Sequence, residues 1–126
     1  MSTQNQMFVC DDKATVVEVI CGGGRGELSC DGKPLVALTE NTSDSTKEKH
    51  VPVVEFIGGY CKVSVGAEPH PMTPEHYIML IEVISGSQTH RQNLNPGDSP
   101  VACFLLSTAT TVTARAYCNL HGLWSD

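Results

Sequence analysis

An all-β chain is what this sequence predicts, and three observations predict it. Helix-period patterns are nearly absent, short alternating apolar runs recur throughout, and clusters of Gly, Pro, Asn and Asp punctuate them. About seven short strands at this spacing, preceded by a small N-terminal β unit, indicate a β-sandwich of immunoglobulin-like type.

The elements follow in order. Residues 14–20 (ATVVEVI) form an apolar run that stops at Gly22-Gly23-Gly24, and residues 27–30 (ELSC) form a second, closed by Asp31-Gly32. This first domain, residues 1–37, is too small to be stable without a staple. A polar stretch at 40–46 marks the entry to the second domain, residues 38–126. There, 51–57 (VPVVEFI) runs into Gly58-Gly59 and 60–65 (YCKVSV) returns, a hairpin signal. Pro52 places its strand at a start or at a sheet edge, since proline cannot donate to a ladder. Residues 77–84 (YIMLIEVI) are apolar at nearly every position, as in a strand covered on both faces. Turn clusters at 85–87 and 95–98 flank a more polar strand near 88–94, and 101–107 and 111–118 supply the last two.

Composition narrows the function. The 126 residues are 40% hydrophobic and 17% charged, enough apolar material for a packed core. A net charge of -6 argues against nucleic acid, which needs a basic footprint, but leaves room for a small anion drawn by a local field. No run reaches the roughly 18 apolar residues of a membrane span. The start, MSTQNQMFVCDDK, lacks the basic and apolar regions of a secretory signal, so a cytoplasmic location is expected. Six cysteines in that compartment point to metal binding or plain burial before disulfides.

Four of the five histidines sit at strand ends or in connections, where functional side chains concentrate. His50 follows Lys47-Glu48-Lys49 just before a strand, His70 opens HPMTPEH, His76 ends it, and His121 lies three residues after Cys118. Thr73-Pro74-Glu75 reads as an N-cap, a first-turn proline and an acidic residue, so a single helical turn is expected to carry His76 back towards His70. Cys118 shares parity with Val112, Ala114 and Ala116, opposite Thr111, Thr113 and Arg115. Its sulfur therefore points to the apolar side, where a thiolate needs a metal to be stable. Gly122 then permits the sharp backbone path that returns His121 to the same centre.

A lone histidine beside a strand is ordinarily a surface or hydrogen-bonded residue, and one Cys-x2-His pair is a weak signal. Four imidazoles and a thiolate together are harder to assign to chance. Five protein donors exceed the four of a closed structural zinc site, and mixed imidazole and thiolate ligation suits iron among first-row metals. A thiolate opposite an open position pushes electron density towards whatever binds there. Such a centre suits one-electron chemistry on a small oxygen ligand.

The segments KEKHVPVVE (47–55), HPMTPEHYI (70–78) and AYCNLHGLW (116–124) closely resemble the iron domain of superoxide reductases, the desulfoferrodoxin and neelaredoxin family. The resemblance runs from about residue 38 to the end. It implies one mononuclear non-haem iron (Fe2+/Fe3+) per chain, with His50, His70, His76 and His121 as equatorial ligands and Cys118 as the axial one. It makes Lys49 the local cation that attracts superoxide and Glu48 the carboxylate that closes the oxidised site. It also implies reduction of superoxide to hydrogen peroxide, a rubredoxin-like electron donor and a homodimer.

The first domain resembles the desulforedoxin-like domain of desulfoferrodoxin, but in degenerate form. That domain holds iron through Cys-x2-Cys and an adjacent cysteine pair. Cys10-Asp11-Asp12-Lys13 retains one of the first two, and Cys30 is the sole survivor of the second. An all-sulfur iron site needs four, so no iron is expected there, although Cys21 leaves an improvised three-cysteine site open. Cys61 and Cys103 read as buried small hydrophobes and His90 as a surface residue. Other classes remain open. A non-catalytic iron-binding or electron-transfer module would show iron without superoxide consumption, an immunoglobulin-like interaction domain would bind no stoichiometric metal, and a dismutase would release oxygen.

Overall fold

Strands make up all the regular structure among the described residues. The computed structural model describes residues 2–43, 49–106 and 111–126. It divides into two compact units, Met1–Thr39 and Glu40–Asp126. No helix among the described residues is long and apolar enough to cross a membrane.

In the first unit, β1 (Met7–Val9) lies between β2 (Val16–Glu18) and β5 (Val36–Ala37) in an antiparallel sheet, and β3 (Ser29–Cys30) pairs with β4 (Lys33–Pro34). Met7, Val9 and Cys10 are buried. The runs expected at 14–20 and 27–30 form strands only at Val16–Glu18 and Ser29–Cys30, because glycines and polar residues crowd their ends.

The second unit contains seven strands in two sheets, the number expected of the sandwich. The three-stranded sheet has the order β10 (Val101–Leu105), β7 (Tyr60–Val65), β6 (Pro52–Ile57). The four-stranded sheet has the order β12 (Gly122–Ser125), β11 (Thr113–Cys118), β8 (Ile78–Ser85), β9 (Gln88–Asn93). All these pairings are antiparallel. Pro52 does open an edge strand. Gly58 and Gly59, with φ of 57° and 83°, make the two-residue turn that sets Ile57 opposite Tyr60.

The core forms where the inward parities of the two sheets meet. Cys61, Val63 and Val65 of β7 join Ile81 and Val83 of β8 and Ala114, Ala116 and Cys118 of β11 in one buried cluster. Each large aliphatic side chain there contributes about 1.5–3 kcal/mol of transfer free energy. Small alanines on β11 leave room for β6 of the facing sheet to approach, and Cys118 stands at the core's end. β8 is buried along nearly its whole length, as its continuous apolar run implies.

Four local expectations are corrected. Thr73 to His76 is not a helical turn: the two residues exchange both backbone hydrogen bonds, at 2.9 and 3.1 Å, across a tight turn on Pro74-Glu75. One isolated turn of helix is costly to nucleate, and proline serves equally well as the second residue of a β-turn. Cys103 is exposed, because β10 turns Ala102 inward and its other parity outward. His90 is half-buried, its ring 5.9 Å from Phe104. Arg115, placed by parity on the polar side, is almost fully buried in an ion pair.

Candidate metal centre

Each element end delivers one donor. His50 stands just before β6, His70 and His76 flank the turn before β8, Cys118 ends β11 and His121 precedes β12. One donor atom from each of these five residues can be chosen so that all lie within 4.8 Å of one another. They are all the histidines and the cysteine that the sequence singles out for this role.

The four rings form nearly a square. Neighbouring centroids are separated by 4.7 Å (His50–His70), 4.7 Å (His70–His76), 5.0 Å (His76–His121) and 4.8 Å (His121–His50). The His50–His76 diagonal is 6.5 Å, close to what such sides require. Neighbouring rings are steeply turned to each other, by 62° to 85°. Cys118 Sγ lies 3.6 Å from His70 Nε2 and 3.9 Å from His121 Nδ1. His70 and His121 occupy opposite corners, so the sulfur sits near the axis of the square. That is a square pyramid of donors with a sulfur apex.

These dimensions fit an ion. His50 Nε2 and His121 Nδ1 are 3.1 Å apart, and a square of that edge has a corner-to-centre distance of about 2.2 Å, near the 2.0–2.1 Å typical of metal–imidazole bonds. The protonation states fit as well. His70 Nδ1–H donates to the Pro71 carbonyl at 2.7 Å, which fixes the tautomer and leaves Nε2 as the donor facing the sulfur. Burial lowers the His70 pKa to about 4, helped by the adjacent imidazoles and opposed by the Pro71 carbonyl. Its ring is therefore neutral at physiological pH, the form that binds a metal.

Several residues that sequence reasoning did not single out hold this arrangement. Trp124 stacks on His50 with centroids 4.5 Å apart and planes 14° off parallel, and its Nε1–H donates to the His121 carbonyl at 3.1 Å. One indole thus braces two ligands. Asn119 accepts from the Tyr77 amide at 2.9 Å and donates to the Glu75 carbonyl at 3.0 Å, tying the Cys118–His121 turn to the His76 segment. Gly122, at a φ of 86°, turns the chain as expected. Only a general signal marked these positions: asparagine favours turns and the tryptophan is single in the chain.

Burial differs around the square. His50, His70 and Cys118 are buried, His76 is half-buried and His121 is exposed, so the centre lies at the protein surface with its sulfur inward. Lys49, beside His50, is half-buried, and its backbone packs on Gly66, whose φ is 83°. A Cβ at Gly66 would collide with the Lys49 carbonyl oxygen and lie 2.8 Å from Lys49 Cβ. Glu48 lies outside the described residues. Among the described residues, Cys10, Cys21 and Cys30 form no comparable donor group.

Known proteins share this architecture. Residues 42–126 match the family model described as desulfoferrodoxin. A desulfoferrodoxin of Syntrophotalea carbinolica is 48% identical over 126 residues, covering all of this chain and 98% of that protein. A superoxide reductase of Pyrococcus horikoshii is 38% identical, covering 73% of this chain and 96% of that one. The crystal structure of the superoxide reductase from Treponema pallidum superposes with a TM-score of 0.81 at 32% identity, covering 99% of both chains. With two thirds of its length matched by the family model and full-length relatives at this identity, the chain belongs to the desulfoferrodoxin family.

Proposed function

We propose that this protein is a superoxide reductase, converting superoxide to hydrogen peroxide with one electron and two protons. The observation that carries the reading is the square of four imidazoles above a buried cysteine sulfur. Iron held by His50, His70, His76, His121 and Cys118 would supply the one-electron couple. Two structural supports favour that metal over structural zinc: five donors instead of four, and a surface location for the imidazole plane.

The chain's own residues then have definite tasks. His70, locked by Pro71, and His50, braced by Trp124, keep the plane from collapsing onto the sulfur side. Cys118, as thiolate, offers negative charge from the buried side and leaves the opposite face for the substrate. Lys49 supplies positive charge next to His50, offsetting the net charge of -6 for an approaching anion, and is a source of a proton for the reduced oxygen. Glu48, by the family resemblance, would supply the carboxylate that closes the oxidised site. A rubredoxin-like protein returns the electron, the active form is a homodimer and the compartment is the cytoplasm. The domain over residues 1–37 is a degenerate desulforedoxin-like unit without iron, so no internal relay contributes.

Pulse radiolysis of the iron-loaded protein tests the assignment. Superoxide should disappear with one peroxide formed for each anion and no oxygen released. Oxygen release would identify a dismutase, and unchanged superoxide decay would identify an electron-transfer module. Lys49→Ala should lower the capture rate by about 10-fold or more and flatten its salt dependence, with iron content unchanged. A salt dependence identical to that of the unaltered protein would remove Lys49 from the role.

Gly66→Ala should resemble the lysine variant although the lysine remains. The added methyl meets the Lys49 backbone, and alanine at a φ of 83° is strained. We expect slower capture together with a stability loss of more than about 1 kcal/mol. Comparing the two variants by radiolysis and urea unfolding separates displacement of the charge from its removal.

A further inference from the structure

The first unit retains two cysteines that the metal centre does not use, and they stand on two turns that are tied together. Cys10 follows β1 and Cys30 ends β3. Each sits on a tight turn: Lys13 N donates to the Cys10 carbonyl at 2.9 Å with a φ of 60° at Lys13, while Asp31 and Gly32, at 52° and 78°, fold Cys30 against Lys33. Lys33 Nζ bonds Asp11 Oδ2 at 2.9 Å, which lashes the two turns together. The two thiols on these joined turns interact electrostatically. Lys13 and Asp31 stand where a four-sulfur site would need its other two donors. Among the described residues no third cysteine, histidine or carboxylate completes a metal group there. What remains is a dithiol.

We propose that Cys10 and Cys30 form a redox-active pair that closes into a reversible disulfide on exposure to hydrogen peroxide. Cys30 is half-buried and is the sulfur that peroxide reaches, whereas Cys10 is 2% exposed. The Cys30 thiolate attacks one peroxide oxygen, the O–O bond breaks, and a sulfenic acid forms as hydroxide leaves and takes up a proton. Cys10 sulfur then displaces that hydroxyl: an S–S bond forms, the S–O bond breaks and a second water leaves. Two thiols lose one electron each and peroxide gains two. The interaction of its own S–H with Cys30, together with burial, pushes the Cys10 thiol up to about 11, so Cys10 waits as a thiol and acts second. The proposal does not depend on the reading of the metal centre, since any source of peroxide suffices.

The test uses the oxidised, metal-loaded full chain and added hydrogen peroxide, followed by alkylation and non-reducing peptide mapping. The expected result is parallel loss of both thiols, appearance of one Cys10–Cys30 cross-linked peptide, and full recovery with dithiothreitol. Cys10→Ser should convert Cys30 into a sulfenic acid trapped by dimedone, and Cys30→Ser should leave Cys10 alkylatable. The visible spectrum of the metal centre, followed in the same samples, reports on the other site separately. Over-oxidation of Cys30 while Cys10 stays alkylatable would overturn the proposal, as would a disulfide from either residue to exposed Cys21. Because the decisive readout is made on the unaltered chain, a variant that folds poorly does not remove it.

Discussion

Cys118→Ser should give a folded protein that binds metal more than about 100-fold more weakly and no longer reduces superoxide. The reasoning is local. Cys118 is fully buried at the end of the core cluster, between two imidazole corners 3.6 and 3.9 Å away. Serine is nearly the same size, so the packing of Ala114, Ala116 and Ile78 around β11 survives. Its hydroxyl does not ionise near neutral pH, however, and a neutral oxygen cannot provide the charge that a thiolate brings to a divalent or trivalent ion. Loss of an orienting partner alone typically costs 10–100-fold in metal affinity, and loss of the one anionic donor among the five should exceed that. Metal analysis after dialysis, the oxidised visible spectrum and radiolysis give three readings. A thiolate-to-metal band that persists in the variant would show that the sulfur at 118 is not a ligand.

The comparison with His121→Ala sharpens this. His121 is exposed and is held by Trp124 through its backbone carbonyl, not through its ring. Removing its imidazole opens one corner to water, which can take the vacated position. The thiolate band should therefore survive in His121→Ala and vanish in Cys118→Ser.

Some of this was readable from the residues and some was not, for physical reasons. Period-two alternation made Cys61, Val63 and Val65 legible as an inward face, and Gly58-Gly59 legible as a hairpin. The donors were legible because histidine is scarce here and each one stands beside a turn. Alternation fails where both parities are apolar: in VACFL either face of β10 could be inward, and Cys103 turned out exposed. Three- and four-residue strands such as β1 and β12 carry too little pattern to be seen. The bracing by Trp124, Asn119 and the Pro71 carbonyl depends on tertiary proximity. Asn119 meets the 75–77 segment from more than forty positions away, and no local spacing announces that.

The same limit hid Arg115, whose replacement should have the largest effect on stability. Arg115 lies on β11 directly opposite Glu82 of β8, and both are buried. Its Nε and Nη2 both donate to Glu82 Oε1, the first at 3.1 Å, and Nη1 reaches Glu40 Oε1 at 3.0 Å. Burial opposes the guanidinium charge, but Glu82 and then Glu40 more than offset it, raising the Arg115 pKa above its ordinary value. Arg115→Met keeps the volume and removes the charge, leaving the Glu82 carboxylate deprived of its main cation in a dry setting. Breaking one side of such a pair costs about 3–5 kcal/mol, a large share of the 5–15 kcal/mol that holds a typical domain together. Glu82→Leu alone should be damaging for the mirror reason. The double variant should recover much of the loss, because two apolar side chains need no partner. Urea unfolding of all four proteins measures the cycle, and additive losses would mean that the two charges do not depend on each other. Since Cys118 lies three residues along the same strand, metal retention during the titration should fall in step with unfolding of β11, which couples the stability of the centre to an ion pair that never touches it.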